Sequence, residues 1–267
     1  MRDKGKLWNK SWNPVRGCSA RLDGTCKAKC WAASLAGTRL AHLPQYAGLT
    51  TTTPDRAMPG ELLIPPVPPR WTGEVRFDPA ELAKPLHWKK PRTVLLSLMG
   101  DLFDPGVTDE QIASVYGVMA ACPQHTFLCL TKRADRRRYF LGYNVIALGA
   151  AKDAAKWPLP NVWEGVSVCD QADADARIPV LLDTPAAHRF VLAEPLLGPV
   201  DLCLIKALPI KWVICGPENY VGARYSDPNW IRSIVRQCRV WDVPVWVKGG
   251  LPDGDECDVR DRPEVRG

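Results

Sequence analysis

The feature that most constrains the fold is a repeated alternation of two kinds of segment from residue 71 onward. Short β-branched or aromatic runs alternate with polar loops and helical patterns; the runs occupy residues 71–77, 93–98, 126–131, 161–168, 189–193, 211–215 and 243–247. Strands that alternate with helices indicate a parallel sheet with right-handed crossovers. Seven or more such units favour an α/β fold of the parallel (β/α) barrel type, a complete or partial TIM-type barrel.

The helical patterns cover residues 30–41, 109–121, 133–141, 171–183 and 228–240. Two of them carry start signals, Thr108 before the second and Asp227 followed by Pro228 at the last. A further strand is expected just before Cys18. The runner-up fold is an open doubly wound sheet, which is disfavoured because no glycine-rich phosphate loop follows an early strand.

The length of 267 residues fits one barrel domain spanning residues 1–267. Residues 42–70 interrupt the alternation, and they hold seven prolines. This segment is interpreted as a Pro-rich surface insertion between the first helix and the second strand, or as a lid over the site.

Composition limits the location and the partners of the chain. No run of about 18 apolar residues occurs, so no membrane span is expected. The charged start is not followed by an apolar signal region, so we expect a cytoplasmic protein, in the host cytoplasm if phage-encoded. A reducing cytoplasm disfavours disulfides, so the ten cysteines need another explanation. The net charge of +6 is a mild bias toward anionic partners and does not establish nucleic-acid binding.

Three cysteines are clustered near the start of the chain, with the spacing C-x7-C-x3-C at Cys18, Cys26 and Cys30. Three thiolates on one loop can hold three irons of a [4Fe–4S] cluster and leave the fourth iron open. An open iron can chelate the amino and carboxylate groups of S-adenosylmethionine (SAM). The alternative is structural zinc held by the cysteines and a histidine, of which His42 is the nearest.

Polar or thiol groups follow most of the predicted strands. In β/α barrels the chemistry lies at the C-terminal ends of the strands. The residues at those ends are Ser97, Asp101, Thr131, Lys132, Arg133, Ser167, Cys169, Glu194, Cys215, Glu218 and Lys248. Any one of them could cap the next helix. A barrel hydrolase with Glu194 and Glu218 as acid and base is a further alternative.

Two basic clusters are present. One contains Lys89, Lys90 and Arg92, and the other contains Arg133 and residues 136–138 beside Tyr139. Basic groups with nearby aromatic rings suit a phosphate backbone and unstacked bases. The alternative interpretation of each cluster is a solvated helix face.

Several motifs together carry a resemblance to a known family. They are WNPVRGC at 12–18, PLHWKKPR at 85–92, SLMGDLF at 97–103, LTKR at 130–133, PNVWEGVSV at 160–168, EPLLGPV at 194–200, GPE at 216–218, GAR at 222–224 and DPNW at 227–230. With the three cysteines, these motifs resemble a family of phage and bacterial three-cysteine proteins. That family is radical-SAM-like and similar to spore photoproduct lyase. Each cysteine gap here is one residue longer than the family's usual C-x6-C-x2-C.

The resemblance implies a radical-SAM-like barrel that binds a [4Fe–4S] cluster and SAM. It implies cluster ligands at Cys18, Cys26 and Cys30, an external electron donor, and a 5′-deoxyadenosyl radical that abstracts hydrogen from the substrate. The implied substrate is a nucleobase, a nucleotide or DNA, in phage DNA hypermodification or DNA repair. The chemistry would be of the lyase or isomerase type. The open alternative is a zinc-stabilised nucleic-acid-binding protein without catalysis.

The remaining site residues are assigned by the groups that SAM and a substrate present. Asp101, Ser167 and Glu194 are candidates for the ribose hydroxyls and amino group of SAM. Lys132, or Arg133, is a candidate for its carboxylate or for a substrate phosphate. Glu218 and Lys248 are assigned to the substrate side. Cys169 and Cys215 are candidates for donating a hydrogen atom to a substrate radical. A buried, inert cysteine is the alternative for each of the last two.

Overall fold

The computed structural model describes residues 6–19, 30–51, 68–144, 157–202, 209–219 and 222–263. In chain order, the strands are β1 Lys10–Trp12, β2 Val15–Gly17, β3 Val75–Phe77, β4 Thr93–Leu96, β5 Thr126–Thr131, β6 Val162–Ser167, β7 His188–Ala193, β8 Ile210–Cys215 and β9 Val245–Val247. The helices are α1 Trp31–Gly37, α2 Pro79–Leu82, α3 Asp109–Ala121, α4 Ala134–Tyr143, α5 Gln171–Leu182 and α6 Pro228–Val240. Short 3₁₀ turns occupy Pro44–Tyr46 and Lys84–His87.

Seven strands form one parallel sheet in the order β1-β4-β5-β6-β7-β8-β9. This order follows the chain without reversal, so right-handed crossovers place the connecting helices on the same face. A doubly wound sheet needs a reversal of strand order, which this sheet lacks. The sheet curls into a half-barrel, which agrees with the prediction of a partial TIM-type fold.

The two faces of the curled sheet form separate apolar layers. The inward face carries one buried cluster, whose members include Leu95, Leu128, Trp163, Phe190, Trp212 and Trp246. The outward positions of the same strands pack against the helices in two further clusters. Both faces are covered, which explains why the strands read as nearly continuous apolar runs.

Several predicted boundaries are confirmed, because local signals fix them. Helices α3 and α6 and strand β5 have the predicted limits. A capping box starts α3: Thr108 Oγ1 accepts from the Gln111 N–H, and Gln111 Oε1 accepts from the Thr108 N–H. At α6 the Asp227 carboxylate accepts from the Asn229 N–H at 2.8 Å.

The prediction that residues 71–77 supply a strand of the main sheet is wrong. Only Val75–Phe77 is extended, and it pairs antiparallel with β2 in a separate two-stranded sheet. The position beside β4 is taken by β1, whose Trp12 is fully buried. An alternating pattern identifies a strand but does not identify its partner.

The described part of the Pro-rich insertion packs onto the body of the protein. Leu49 and Tyr46 are buried in one cluster with Ala36 and Met99. Thr50 forms an isolated bridge with Trp71, which brings the two ends of the insertion together. Residues 52–67 lie outside the described residues, so whether this segment is a lid stays a prediction.

The C-terminal segment covers the last edge of the sheet. The Val247 N–H donates to Val259, and the Asp261 N–H donates to Val245, each at 2.9 Å. The Arg262 guanidinium donates a hydrogen bond to the carbonyl of Lys6, at the start of the described chain. An exposed parallel edge would otherwise present unpaired backbone groups.

Candidate functional site

A cavity of about 380 Å³ lies at the C-terminal ends of the strands, and we call it the mouth cavity. Its volume is in the range of small-molecule and cofactor sites. Eight of the eleven predicted site residues line it: Cys18, Cys30, Asp101, Lys132, Ser167, Glu194, Glu218 and Lys248. Cys26 lies outside the described residues.

The segment before Cys18 is held by a dense set of contacts. The Trp12 indole N–H donates to the Glu81 carbonyl at 2.8 Å, and Asn13 Oδ1 accepts from the Met99 N–H at 3.1 Å. The buried Arg16 pairs with Asp78 at 2.5 Å and with Glu81 at 2.9 Å. Each of these residues therefore fixes the course of the chain that leads to Cys18.

Gly17 makes the last turn before Cys18, with a φ of +86°. A Cβ at this position would lie 2.2 Å from the Glu74 carbonyl oxygen, so only glycine fits. The backbone of Gly17 also bridges Gly100, in the loop after β4. This close approach brings Cys18 and Ser19, which we call the cysteine loop, against the loop that carries Asp101.

Cys30 enters the mouth cavity from the start of α1. It is the N-cap residue of that helix, and Trp31 beside it also lines the cavity. His42, the histidine of the zinc alternative, is exposed and is not among the lining residues. Within the described ranges, to which Cys26 does not belong, no group of three or more His, Cys, Asp or Glu side chains could hold a metal ion.

The turn after β4 supplies a buried hydroxyl group and a clamped carboxylate. Ser97 lines the cavity and has a φ of +55°. Its buried hydroxyl has no hydrogen-bond partner among the described residues. Asp101 accepts from the Thr131 hydroxyl at 2.7 Å and from the N–H groups of Phe103 at 2.9 Å and Lys132 at 3.1 Å. Asp101 therefore ties the loop after β4 to the end of β5.

A second carboxylate, Asp104, was not predicted from the sequence. It is fully buried, and it accepts from Arg133 Nη2 at 2.8 Å and from the Ser19 N–H at 2.9 Å. Burial alone would raise the pKa of Asp104, but hydrogen bonds from Gly106 and Ser19 and the charge of Arg133 lower it below its ordinary value. Its only sequence signal is its position in the loop after a strand.

Glu194 and Lys248 form an ion pair across the mouth cavity, with Lys248 Nζ 2.6 Å from Glu194 Oε2. They follow β7 and β9, so the pair crosses the end of β8. Gly216 occupies that end, where a Cβ would lie 3.0 Å from Lys248 Cβ. Burial raises the pKa of Glu194, and the charge of Lys248 offsets this only in part.

Glu218 is held by an arginine that the sequence did not single out as a site residue. Its side chain is 4% exposed and accepts from the Arg224 backbone N–H at 2.8 Å and from Arg224 Nε at 2.9 Å. Both residues line the mouth cavity. This wall of the cavity therefore carries two ion pairs, Glu194 with Lys248 and Glu218 with Arg224, and the charges within each pair balance.

Two predicted site residues are placed away from the mouth cavity. Cys169 and Cys215 are fully buried and are not among its lining residues. On β8 the inward positions are Trp212 and Ile214, so Cys215 points to the helix layer, where it packs with Cys238. Burial raises the pKa of the Cys215 thiol well above its ordinary value. The structure therefore does not place either thiol for hydrogen-atom transfer to a ligand in the cavity.

The structure places neither basic cluster in the lining of the mouth cavity, and nucleic-acid binding by either cluster stays a prediction. Arg133, Arg136 and Arg138 pair with Asp104, Asp109 and Asp183, and Arg137 is fully buried against Glu164 and the Gly165 carbonyl. Lys89, Lys90 and Arg92 precede β4 and so lie at the opposite end of the sheet from the cavity. The run of arginines in the sequence gave no indication of these intramolecular partners.

Aromatic rings supply part of the cavity wall. Trp8, Trp31 and Trp71 all line it, and Lys248 Nζ lies 5.1 Å from the centre of the Trp8 ring. The apolar floor comes from the inward cluster of the sheet, including Leu95 and Leu192. The cavity thus combines flat apolar walls with a few polar groups, as ligand sites do.

Residues 5–252 match the family described as "Protein of unknown function (DUF5131)", and the chain belongs to that family. No curated protein and no solved structure matches the chain. Among the described residues, no helix is long and apolar enough to cross a membrane.

Proposed function

We propose that the protein is a radical SAM enzyme whose [4Fe–4S] cluster is held by Cys18, Cys26 and Cys30. The observation that carries the proposal is the meeting of Cys18 and Cys30 at one cavity, at the C-terminal end of a parallel half-barrel. The eleven residues between them, 19–29, include the third cysteine, Cys26. Soft thiolate ligands on one loop suit an iron–sulfur cluster.

The donor set around the cavity fits a polar cofactor beside such a cluster. The Ser97 hydroxyl is buried with no partner in the part of the chain that the structure describes, so a bound ligand would satisfy it. Ser167 and Lys132 add a hydroxyl and an amine on the neighbouring strands. Asp101 already accepts three hydrogen bonds, which leaves about one of the roughly four acceptor sites of a carboxylate for a ligand. When bound, the cluster and SAM supply the one-electron chemistry that begins hydrogen abstraction.

Other residues of the cavity wall suit the substrate. Trp8 and Trp71 offer flat apolar faces to a ring, and Lys248 and Arg224 offer positive charges that are already balanced by Glu194 and Glu218. A nucleobase or nucleotide fits this combination of stacking surfaces and paired charges. We therefore propose lyase or isomerase chemistry on a base, as in DNA hypermodification or repair.

The decisive experiment is anaerobic purification and reconstitution, followed by iron and sulfide analysis and EPR of the reduced protein with and without SAM. We expect about four irons per chain, the content of one cluster, and a spectrum that changes when SAM is added. Alanine at Cys18, Cys26 or Cys30 should abolish the signal. Alanine at Cys122, a buried cysteine at the end of α3, is the matched control and should retain it.

Two outcomes would contradict the proposal. Stoichiometric zinc without iron after reconstitution would indicate the zinc-stabilised binding protein instead. Iron that the three alanine variants retain in full would show that the cysteines are not its ligands. The acid–base hydrolase predicts that the same variants keep activity without any metal.

A further inference from the structure

Arg133 connects the cysteine loop to the half-barrel. It directly precedes α4, and its backbone N–H donates to the Thr131 hydroxyl at 2.8 Å, which in turn donates to Asp101. The same hydrogen bonds that join the loop after β4 to the end of β5 therefore fix the main chain of Arg133. Its side chain is 14% exposed and extends toward Cys18.

The guanidinium group makes three contacts with the opposite loops. Its Nη2 lies 2.8 Å from Asp104 Oδ2, 3.3 Å from Ser19 Oγ and 3.9 Å from Cys18 Sγ. Asp104 is fully buried and also accepts from the Ser19 backbone N–H at 2.9 Å. The ion pair thus holds residues 18 and 19 by backbone and side chain together.

We propose that Arg133 is a positioning residue for Cys18, which docks the cysteine loop through Asp104 and donates an N–H to the Cys18 sulfur. The docking follows from the contacts alone, whereas the effect on a cluster rests on the proposed function. Hydrogen bonds to a cluster sulfur stabilise the more negative, reduced form and so raise the reduction potential.

The test compares Arg133→Gln and Arg133→Lys with the control Arg138→Gln, which removes a more exposed ion pair to Asp183 on the same helix. The first readout is hydrogen exchange of the metal-free protein in the peptide containing Ser19. We expect exchange about tenfold or more faster in Arg133→Gln, since a charge-assisted contact is lost. Arg133→Lys should recover part of the protection, and the control should exchange as wild type.

The second readout is the midpoint potential of the reconstituted cluster, measured by EPR-monitored titration and normalised to iron content. Arg133→Gln should retain less iron and shift the potential to more negative values, with Arg133→Lys between it and wild type. Unchanged exchange at Ser19 in folded Arg133→Gln would overturn the docking. An unchanged potential at equal iron would overturn the contact to sulfur. If wild type binds no iron, the proposed function fails, while the exchange experiment still decides the docking.

Discussion

Gly17 makes the turn that positions Cys18. Its replacement by alanine, which adds a single methyl group, tests this role. In Gly17→Ala the new Cβ would meet the Glu74 carbonyl oxygen at 2.2 Å, and the residue would keep a φ of +86°. The clash is with backbone, which cannot rotate away as a flexible side chain can. The chain must therefore shift at the residue immediately before Cys18.

The matched control is Gly73→Ala. Gly73 has a φ of +101°, and a Cβ there meets nothing within 4 Å. Both variants carry backbone strain of about 1–3 kcal/mol. Gly17→Ala also carries an overpacking cost of about 1–3 kcal/mol. The difference between the two variants, which isolates the clash, is thus expected near 2 kcal/mol, or about 4–8 °C in Tm for a chain of this size.

Urea unfolding of both variants, followed by circular dichroism, measures this difference. Iron content after reconstitution gives the link to function: Gly17→Ala should lose iron because Cys18 is displaced, and Gly73→Ala should load as wild type. Equal destabilisation of the two variants, with equal iron, would refute the reasoning that the Glu74 carbonyl makes glycine necessary at residue 17.

Three further predictions concern Glu194, which lines the cavity, and Cys215, which is buried in the helix layer. Because the pKa of folded Glu194 is raised, its contribution to stability is full below its ordinary pKa of 4.5 and is lost as pH rises through the raised value. Glu194→Gln should therefore flatten the fall of unfolding free energy above pH 4.5, and an identical slope in urea titrations at several pH values would contradict this. Cys215→Ala should cost about 1 kcal/mol through lost packing and leave iron content unchanged. Native-state alkylation mapped by mass spectrometry should modify Cys18 and Cys30 but spare Cys215, and rapid modification of Cys215 would show that its thiol reaches the cavity.

The sequence predicted the elements of the fold better than their partners. Local signals such as the Thr108 capping box fix where a helix begins, so α3 and α6 were predicted to the residue. Pairing is a tertiary property, and residues 71–77 carry no signal that sends β3 to β2 rather than to the main sheet. The arginines at and just before α4 carried no sequence signal for their partners for a similar reason, because those partners lie on other elements: Asp104 in the loop after β4, Asp109 on α3 and Glu164 on β6.

Part of the candidate site was predicted from one geometric rule. The predictions were wrong where the direction of a side chain decides whether it reaches the cavity. Polar residues after parallel strands gather at one end of the sheet, so six of the eight predicted residues that line the cavity follow strands, whereas Cys18 and Cys30 were predicted from the cysteine spacing. The direction of Cys215 was not predictable, since both faces of β8 are apolar and the sequence does not tell which face is inward. Asp104 and Arg224 were missed because they support other side chains rather than follow a strand directly.

Strand parity explains why the mouth cavity has its particular polar groups. Side chains alternate along a strand, so every second residue shares a face. Counting by twos from the inward residues of β4, β5, β6, β7 and β9 leads to Ser97, Lys132, Ser167, Glu194 and Lys248, all of which line the cavity. On β8 the same count leads from Trp212 through Ile214 to Gly216, which has no side chain.

The absence of a side chain at Gly216 has a consequence for the site. The inward layer would otherwise place a group between Glu194 and Lys248, and a Cβ there already comes within 3.0 Å of Lys248 Cβ. The glycine lets the ion pair close over β8 and leaves the adjoining wall to Glu218 and Arg224. On the cysteine side, the polar layer is therefore continuous from Ser97 to Ser167, and on the other side it consists of ion pairs. Under the proposed function, these two parts form the cofactor half and the substrate half of the cavity.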